Sequence, residues 1–296
     1  MKRRYLILAA ALAAALACFL LIPARPHGLS RISYDSRTQA GPIATAINVY
    51  AEKGTVPDVR YESGTFQKKR YDVLIVTPGD TTFIKLDYAG DVPKLMTDLS
   101  DQELIRSGYW RVGGINGGFF NDSSPDYGCP TGAVLIDGKW QRWHDQELTP
   151  AYGNGNATVY FNRDGELKLC YHGWQNGIWM PSGDTFWSYD SSVQDYAYQI
   201  DRQYGLSGAY MLLKDGRRIW LGRSSSSYWN LSSSSPVTLF GETADGRILL
   251  VTAQNIGGGE QETALMQKLG AVNAIRLDGS VSTGMAVDRG LVNRSH

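Results

Sequence analysis

Two glycine-bearing stretches, far apart in the chain, hold the residues best suited to chemistry. Gly113-Gly114-Ile115-Asn116-Gly117-Gly118-Phe119-Phe120 sets four glycines around one amide side chain. Glycines let backbone N–H groups approach a ligand closely and take the alternating conformations of an anion-binding nest. No Gly-Lys-Ser/Thr follows and no dinucleotide spacing is present, so this is not a nucleotide loop. Read alone, a glycine cluster is more often a sharp turn than a ligand site. The second stretch, Arg276-Leu277-Asp278-Gly279-Ser280-Val281-Ser282-Thr283-Gly284, puts a carboxylate at the end of an expected strand, followed by hydroxyls. Period-two alternation sends Arg276 and Asp278 to one strand face, where the pair favours ionised Asp278. A structural ion pair followed by an Asp-Gly turn is the competing account. Asp122, close after the first stretch, is a second carboxylate candidate, although an Asp leading a Ser-Ser-Pro turn accounts for it at least as simply; Glu262 is a weaker third, since a helix glutamate is more often a solvated surface residue.

The elements that must position these residues are mostly strands. Asp137-Gly138, Asp164-Gly165, Asp215-Gly216 and Asp245-Gly246 each separate short apolar runs. A tight hairpin turn needs positive φ, which glycine adopts freely and aspartate tolerates. With Val73-Leu74-Ile75-Val76 and Ile248-Leu249-Leu250-Val251 as buried-type strands, the expectation is an α+β, β-rich body with a mostly antiparallel or mixed sheet built from successive hairpins. Helix signals are few. Ser100-Asp101-Gln102-Glu103 is a capping box opening a short helix toward Arg106, stopped by Gly108. A second helix is expected from about Glu260 to Leu269, with Ala264, Leu265 and Leu269 on its apolar face, ending at Gly270. It feeds the strand that delivers Asp278. Residues 171–210 are rich in Trp, Tyr, Gly and Ser, including Trp174, Trp179, Trp187, Tyr189, Tyr196 and Tyr198. Aromatic faces of this kind line sugar sites, although core and loop packing explains them equally simply.

The N-terminus has the charge order of a secretory signal or signal anchor: Lys2, Arg3 and Arg4, then an uncharged run from Tyr5 to Ile22. As a helix that run reaches roughly 27 Å, just short of a hydrocarbon core of about 30 Å. Because the apolar run continues through Phe19 and Ile22, an uncleaved anchor is favoured over cleavage near Ala15 to Cys18. The expected organisation is residues 1–30 as signal or membrane anchor and 31–296 as one extracytoplasmic domain. Residues 1–30 hold Lys2, Arg3, Arg4 and Arg25 of the 29 basic side chains and none of the 29 acidic ones, leaving the exported part at about −4. Such a surface repels phosphate backbones, so nucleic acid is not an expected partner. Beyond Cys18 only Cys129 and Cys170 remain, and an oxidising compartment makes a single disulfide the leading expectation, with two separate buried thiols as the alternative. His27, His144, His172 and His296 show no ligand spacing for zinc. No cofactor is required, although the oxygen-rich Asn121-Asp122-Ser123 segment could hold a divalent cation.

Taken in order, Ile115-Asn116-Gly117-Gly118-Phe119-Phe120, Pro130-Thr131-Gly132 with Leu135-Ile136-Asp137-Gly138, Gly208 with Leu213-Lys214-Asp215-Gly216, and Leu269 to Ser282 resemble the phosphodiester glycosidase family, which has bacterial members linked to exopolysaccharide biosynthesis. The resemblance covers residues 70–292. It implies hydrolysis of a sugar 1-phosphodiester at its glycosidic C–O bond, with a carbohydrate substrate. It also implies Asn116, Gly117 and Gly118 as a phosphate or sugar cradle, joined by Phe119, Gly132 and Arg276. Asp278 becomes the main carboxylate, supported by the turn of Gly279, Ser280 and Ser282. The leaving group is a phosphate monoester, stable as an anion, so a strong general acid matters less than phosphate binding, oxocarbenium stabilisation and activation of water or a carboxylate nucleophile. Two departures stand out. Many members read Leu-Asp-Gly-Gly-Gly-Ser-Ser, where this chain has Ser280, Val281 and Thr283; many carry an Arg-Thr pair where this chain has Pro236-Val237. The lost arginine removes a bidentate phosphate ligand, which Arg223, Arg247 or Arg276 would have to replace. A non-catalytic glycan-binding or envelope-assembly module of the same fold is the competing expectation.

Overall fold

The computed structural model describes residues 41–148, 157–171, 203–218, 235–256, 258–287 and 290–294. The N-terminal apolar run, the tryptophans and tyrosines of 174–198, and Arg223 lie outside these residues. No helix among the described residues is long and apolar enough to cross a membrane.

Three antiparallel sheets make the body. The first, of five strands, comprises β1 (Thr45–Glu52), β4 (Thr82–Tyr88), β5 (Tyr109–Asn116), β18 (Gly284–Val287) and β19 (Gly290–Arg294), in the order β19-β18-β5-β1-β4. The second joins β6 (Val134–Ile136), β7 (Lys139–Trp140), β10 (Ala157–Phe161), β11 (Leu167–Tyr171) and β12 (Tyr204–Gly208), in the order β11-β10-β12-β6-β7. The third, of seven strands, holds β2 (Val59–Phe66), β3 (Lys69–Val76), β13 (Tyr210–Lys214), β14 (Arg217–Arg218), β15 (Val237–Thr243), β16 (Ile248–Ala253) and β17 (Ala271–Gly279), in the order β14-β13-β17-β15-β16-β3-β2. A small ribbon pairs β8 (Arg142–Trp143) with β9 (Gln146–Glu147). The four Asp-Gly pairs turn β6 into β7, β10 into β11, β13 into β14 and β15 into β16. All four of their glycines take positive φ.

The continuous apolar runs of β3 and β16 follow from burial on both faces. Leu74, Val76, Ile248 and Leu250, with Phe240 of the same sheet, enter the large core shared with the other two sheets through Ile47, Val159 and Leu206. Val73, Ile75, Leu249 and Val251 face a second cluster under helix α2 (Gly258–Lys268) with Leu265 and Met266. Only two α-helices occur among the described residues, so α+β narrows to a β-rich body.

The helix ends differ in detail from expectation. Helix α1 (Gln102–Arg106) is capped by Asp101, not Ser100: its carboxylate accepts from Glu103 and Leu104 N–H. Asp101 also pairs with the buried Lys85 at 3.2 Å, a contact available one residue past the capping-box serine. On α2 the inward face includes Glu262 and Thr263 with Leu265 and Met266. Ala264 and Leu269 are only partly buried. The helix stops at Gly270, whose φ of +87° ends it as a left-handed cap.

Candidate active site

The two glycine-bearing stretches meet where the chain crosses between sheets. Strand β17 lies mid-sheet between β13 and β15; after Gly279 a single 3-10 turn, Ser280–Ser282, carries the chain into β18 beside β5. Near its end β17 sets one more residue than β15 between the pairs Val237↔Gly279 and Leu239↔Arg276. A bulge of this kind bends a strand and re-aims its side chains, and it falls at Leu277 and Asp278. The Asp278 N–H donates to the Gly117 carbonyl at 3.0 Å, which docks the strand end on the first motif.

Asn116 fastens this crossing. Its Oδ1 accepts from the Thr238 hydroxyl at 2.5 Å and from Gly284 N–H at 3.0 Å, and its Nδ2 donates to the Asp278 carbonyl at 3.2 Å. The amide is buried and has a protein partner at each end. Gly117 N–H donates to the Thr45 carbonyl at 2.7 Å, and Gly118 N–H to the Thr45 hydroxyl at 3.0 Å. The N–H groups of both glycines and the Asn116 amide thus bond to neighbouring strands within the fold. The glycines serve close backbone approach, since a Cβ on Gly117 would strike Thr45 and one on Gly118 the Ser207 carbonyl. Phe119 is half-buried against the cluster under α2, and Gly132 is buried with φ of +140° on the connection to β6.

Asp278 is the carboxylate left at the crossing. Its Oδ1 accepts Gly279 N–H at 2.7 Å, and the Ser282 hydroxyl bonds the same carboxylate. Burial pushes its carboxyl up to about 7, against the downward pull of Ser282, Gly279 and the Arg276 charge, while Asp122 adds to the rise. The arginine pulls in the expected direction, toward ionised Asp278, and desolvation outweighs it. Asp122 itself is exposed on the segment after β5, near enough for its charge to act on Asp278.

Glu262 does not join them as a free carboxylate. It is 0% exposed against 9% for Asp278, and it is spent on Arg276 at 3.0 Å and on the Tyr210 hydroxyl at 2.7 Å. Arg276 donates through Nη1 to both, and its Nη2 lies 3.4 Å from where a Cβ on Gly279 would stand. Of the other arginines considered, Arg247 pairs with Asp245 in the turn after β15. That is the end of β15 away from Val237, about 20 Å along the strand. Tyr210, Thr45 and Thr238 carry no local motif, and period or turn chemistry gives no signal for them.

Gly279 is extended, and a Cβ there would sit 2.8 Å from the Pro236 carbonyl. Ser280 is the strained position: its φ is +58°, a conformation that glycine takes freely and serine does not. Ser280→Gly should raise stability by about 0.5–1 kcal/mol, read as a higher urea midpoint with an unchanged slope; an unchanged midpoint would mean the turn relaxes at no cost. Val281 points out, 62% exposed, and its carbonyl accepts from Gly41 N–H at 2.9 Å.

Cys129 is buried, with Sγ 3.6 Å from the Pro130 carbonyl; the Cys170 side chain, and with it the expected disulfide, lies outside the described residues. No three His, Cys, Asp or Glu side chains among the described residues gather as a metal site.

The catalytic domain of zebrafish N-acetylglucosamine-1-phosphodiester alpha-N-acetylglucosaminidase, auto-inhibited by its pro-peptide, has the same fold. The match covers 89% of this chain and 88% of that one at 15% identity, with a TM-score of 0.52. A hypothetical protein from Synechocystis matches over 82% of this chain and 62% of its own at 16% identity, with a TM-score of 0.44. No curated protein matches the chain significantly. A profile of phosphodiester glycosidases matches residues 110–296, a span that takes in Asn116, the sheet crossing and Asp278. Because that span exceeds half of the sequence, the chain belongs to the phosphodiester glycosidase family.

Proposed function

We propose that this protein hydrolyses sugar 1-phosphodiesters or related cell-envelope glycans outside the cytoplasm, held there by its N-terminal segment. The observation that carries the reading is Asp278: a buried carboxylate at a sheet crossing, fixed by Gly279 and Ser282, with its proton affinity raised to about 7. A base poised near the working pH is what activation of water asks for. In this scheme the glycosidic C1–O bond breaks and the phosphate monoester leaves with the bonding pair. Water adds to C1, and Asp278 takes the water's proton. Asp122 places negative charge where the oxocarbenium ion develops. Arg276, adjoining Gly279, is the arginine that answers the substrate's phosphate. Ser282 orients Asp278, and no cofactor takes part.

The test is release of a phosphate monoester and a reducing sugar from a defined sugar 1-phosphodiester. Because the base works ionised, kcat/KM should rise with pH and reach half its plateau near 7. A flat profile from pH 5 to 8 with turnover intact would remove Asp278 from the role of base.

A second reading, a non-catalytic glycan-binding module, is favoured by one surface feature. Tyr127, 45% exposed, stands edge-on to Phe120 at 6.4 Å on the same connection as Asp122. Glycan binding by the wild type without turnover of any sugar 1-phosphodiester would select it.

A further inference from the structure

The Glu262–Arg276–Tyr210 cluster is the most heavily buried ionic group beside Asp278, and the scheme above leaves two of its members unused. Glu262 projects from α2 on the face that packs over the seven-stranded sheet. Its carboxylate takes Arg276 Nη1 on Oε1 and the Tyr210 hydroxyl on Oε2, while Nη1 also donates to the tyrosine oxygen at 2.7 Å. Three elements, α2, β13 and β17, thus close one ring of bonds around Nη1. The rest of the guanidinium is turned elsewhere: Nη2 lies against Gly279, and the buried Nε has no partner among the described residues. A helix glutamate is ordinarily a solvated residue. Burying one completely is costly unless it balances a charge that must itself be buried.

We propose that Glu262 and Tyr210 are positioning residues, which hold the Arg276 guanidinium beside Asp278 with its charge already balanced. This rests on the reading of Asp278 as the working carboxylate. An unbalanced arginine here would pull Asp278 further toward its charged form and weaken it as a base. An absent one would leave the carboxylate with only Ser282 and the Gly279 N–H to favour its charge. The charged or titratable groups that bear on Asp278 are Arg276 from its own strand and Asp122 from the connection after β5; Glu262 from α2 and Tyr210 from β13 act through Arg276.

Carboxyl carbon NMR of the full chain reads the ionisation of Asp278 without any turnover, and the kcat/KM profile reads it again if the enzyme is active. Glu262→Gln should move the Asp278 midpoint down by about half to one pH unit, because the arginine charge is no longer offset. Arg276→Gln should move it up by a similar amount, because the downward pull of the guanidinium on Asp278 is lost. The double variant, neutral at both positions, should fall between the two singles. Tyr210→Phe, which changes no charge, should leave the midpoint in place and raise KM as the guanidinium loosens. Where a single variant fails to fold, the double variant still gives a test, because replacing both members of a buried pair is far milder than breaking it. A midpoint unmoved in folded Glu262→Gln, or a double variant displaced as far as either single, overturns the proposal. Loss of turnover in the wild type with the NMR shifts intact would overturn the hydrolase reading alone.

Discussion

Asp278→Asn should yield a protein that is both inactive and more stable. Turnover is expected to fall by roughly a thousandfold or more, since the amide cannot accept the proton of water. The stability gain has the opposite origin. The folded carboxyl holds its proton up to about 7, whereas the same group in an unfolded chain titrates near 3.8. Folding of the wild type therefore loses free energy as pH rises through this interval, and the penalty is complete above the folded value. At pH 8 the asparagine variant should be more stable by on the order of 2–4 kcal/mol, a difference that shrinks toward zero below pH 4. The substitution keeps an acceptor for the Gly279 N–H bond of 2.7 Å, so it exchanges charge for neutrality with little change of shape. Urea unfolding at pH 4, 6 and 8 measures the effect. Equal midpoints for the two proteins at pH 8 would show that the carboxylate is solvated in solution.

Asn116→Ala should be the most damaging single change at the sheet crossing. It leaves the Thr238 hydroxyl, the Gly284 N–H and the Asp278 carbonyl without their partner, all in buried surroundings. Each unmet group costs about 1–3 kcal/mol, so a loss of at least about 3 kcal/mol is expected from urea midpoints. Activity should fall with it even where the variant remains folded, because Gly284 and Asp278 bracket the turn that fixes the carboxylate. Asn116→Asp separates the two effects. It keeps an acceptor for Thr238 and Gly284, loses the donor to the Asp278 carbonyl, and adds a like charge beside Asp278. The acid limb of its kcat/KM profile should move to higher pH. A profile identical to wild type would place the two carboxyl groups too far apart to interact.

Both expectations turn on residues that the sequence picked out by type, while their partners came from elsewhere in the fold. The glycines around Asn116 drew attention to ligand approach. Their actual neighbours are Thr45 and Ser207, strands that no local pattern connects to them. Glu262 on a helix surface is read as solvated, and it became buried because Arg276 and Tyr210 arrive from two other strands to meet it. For Asp278 the strand-end placement was legible. The charge state was not, because period-two alternation supplies the arginine and says nothing of how much water the fold removes.

What the sequence determines by itself are features whose physics spans a few residues. The Asp-Gly turns between β-runs, the glycine stop of α2 at Gly270, the two-sided apolar runs of β3 and β16, and the family motifs around Asn116 and Asp278 are of this kind. The tertiary structure alone decides which sheet each strand joins, that β17 crosses toward β18 beside Asn116, and which polar groups are spent on the fold. Backbone preference and hydrophobic period are local energies. Desolvation and the pairing of buried polar atoms depend on whatever the rest of the chain brings within a few ångströms.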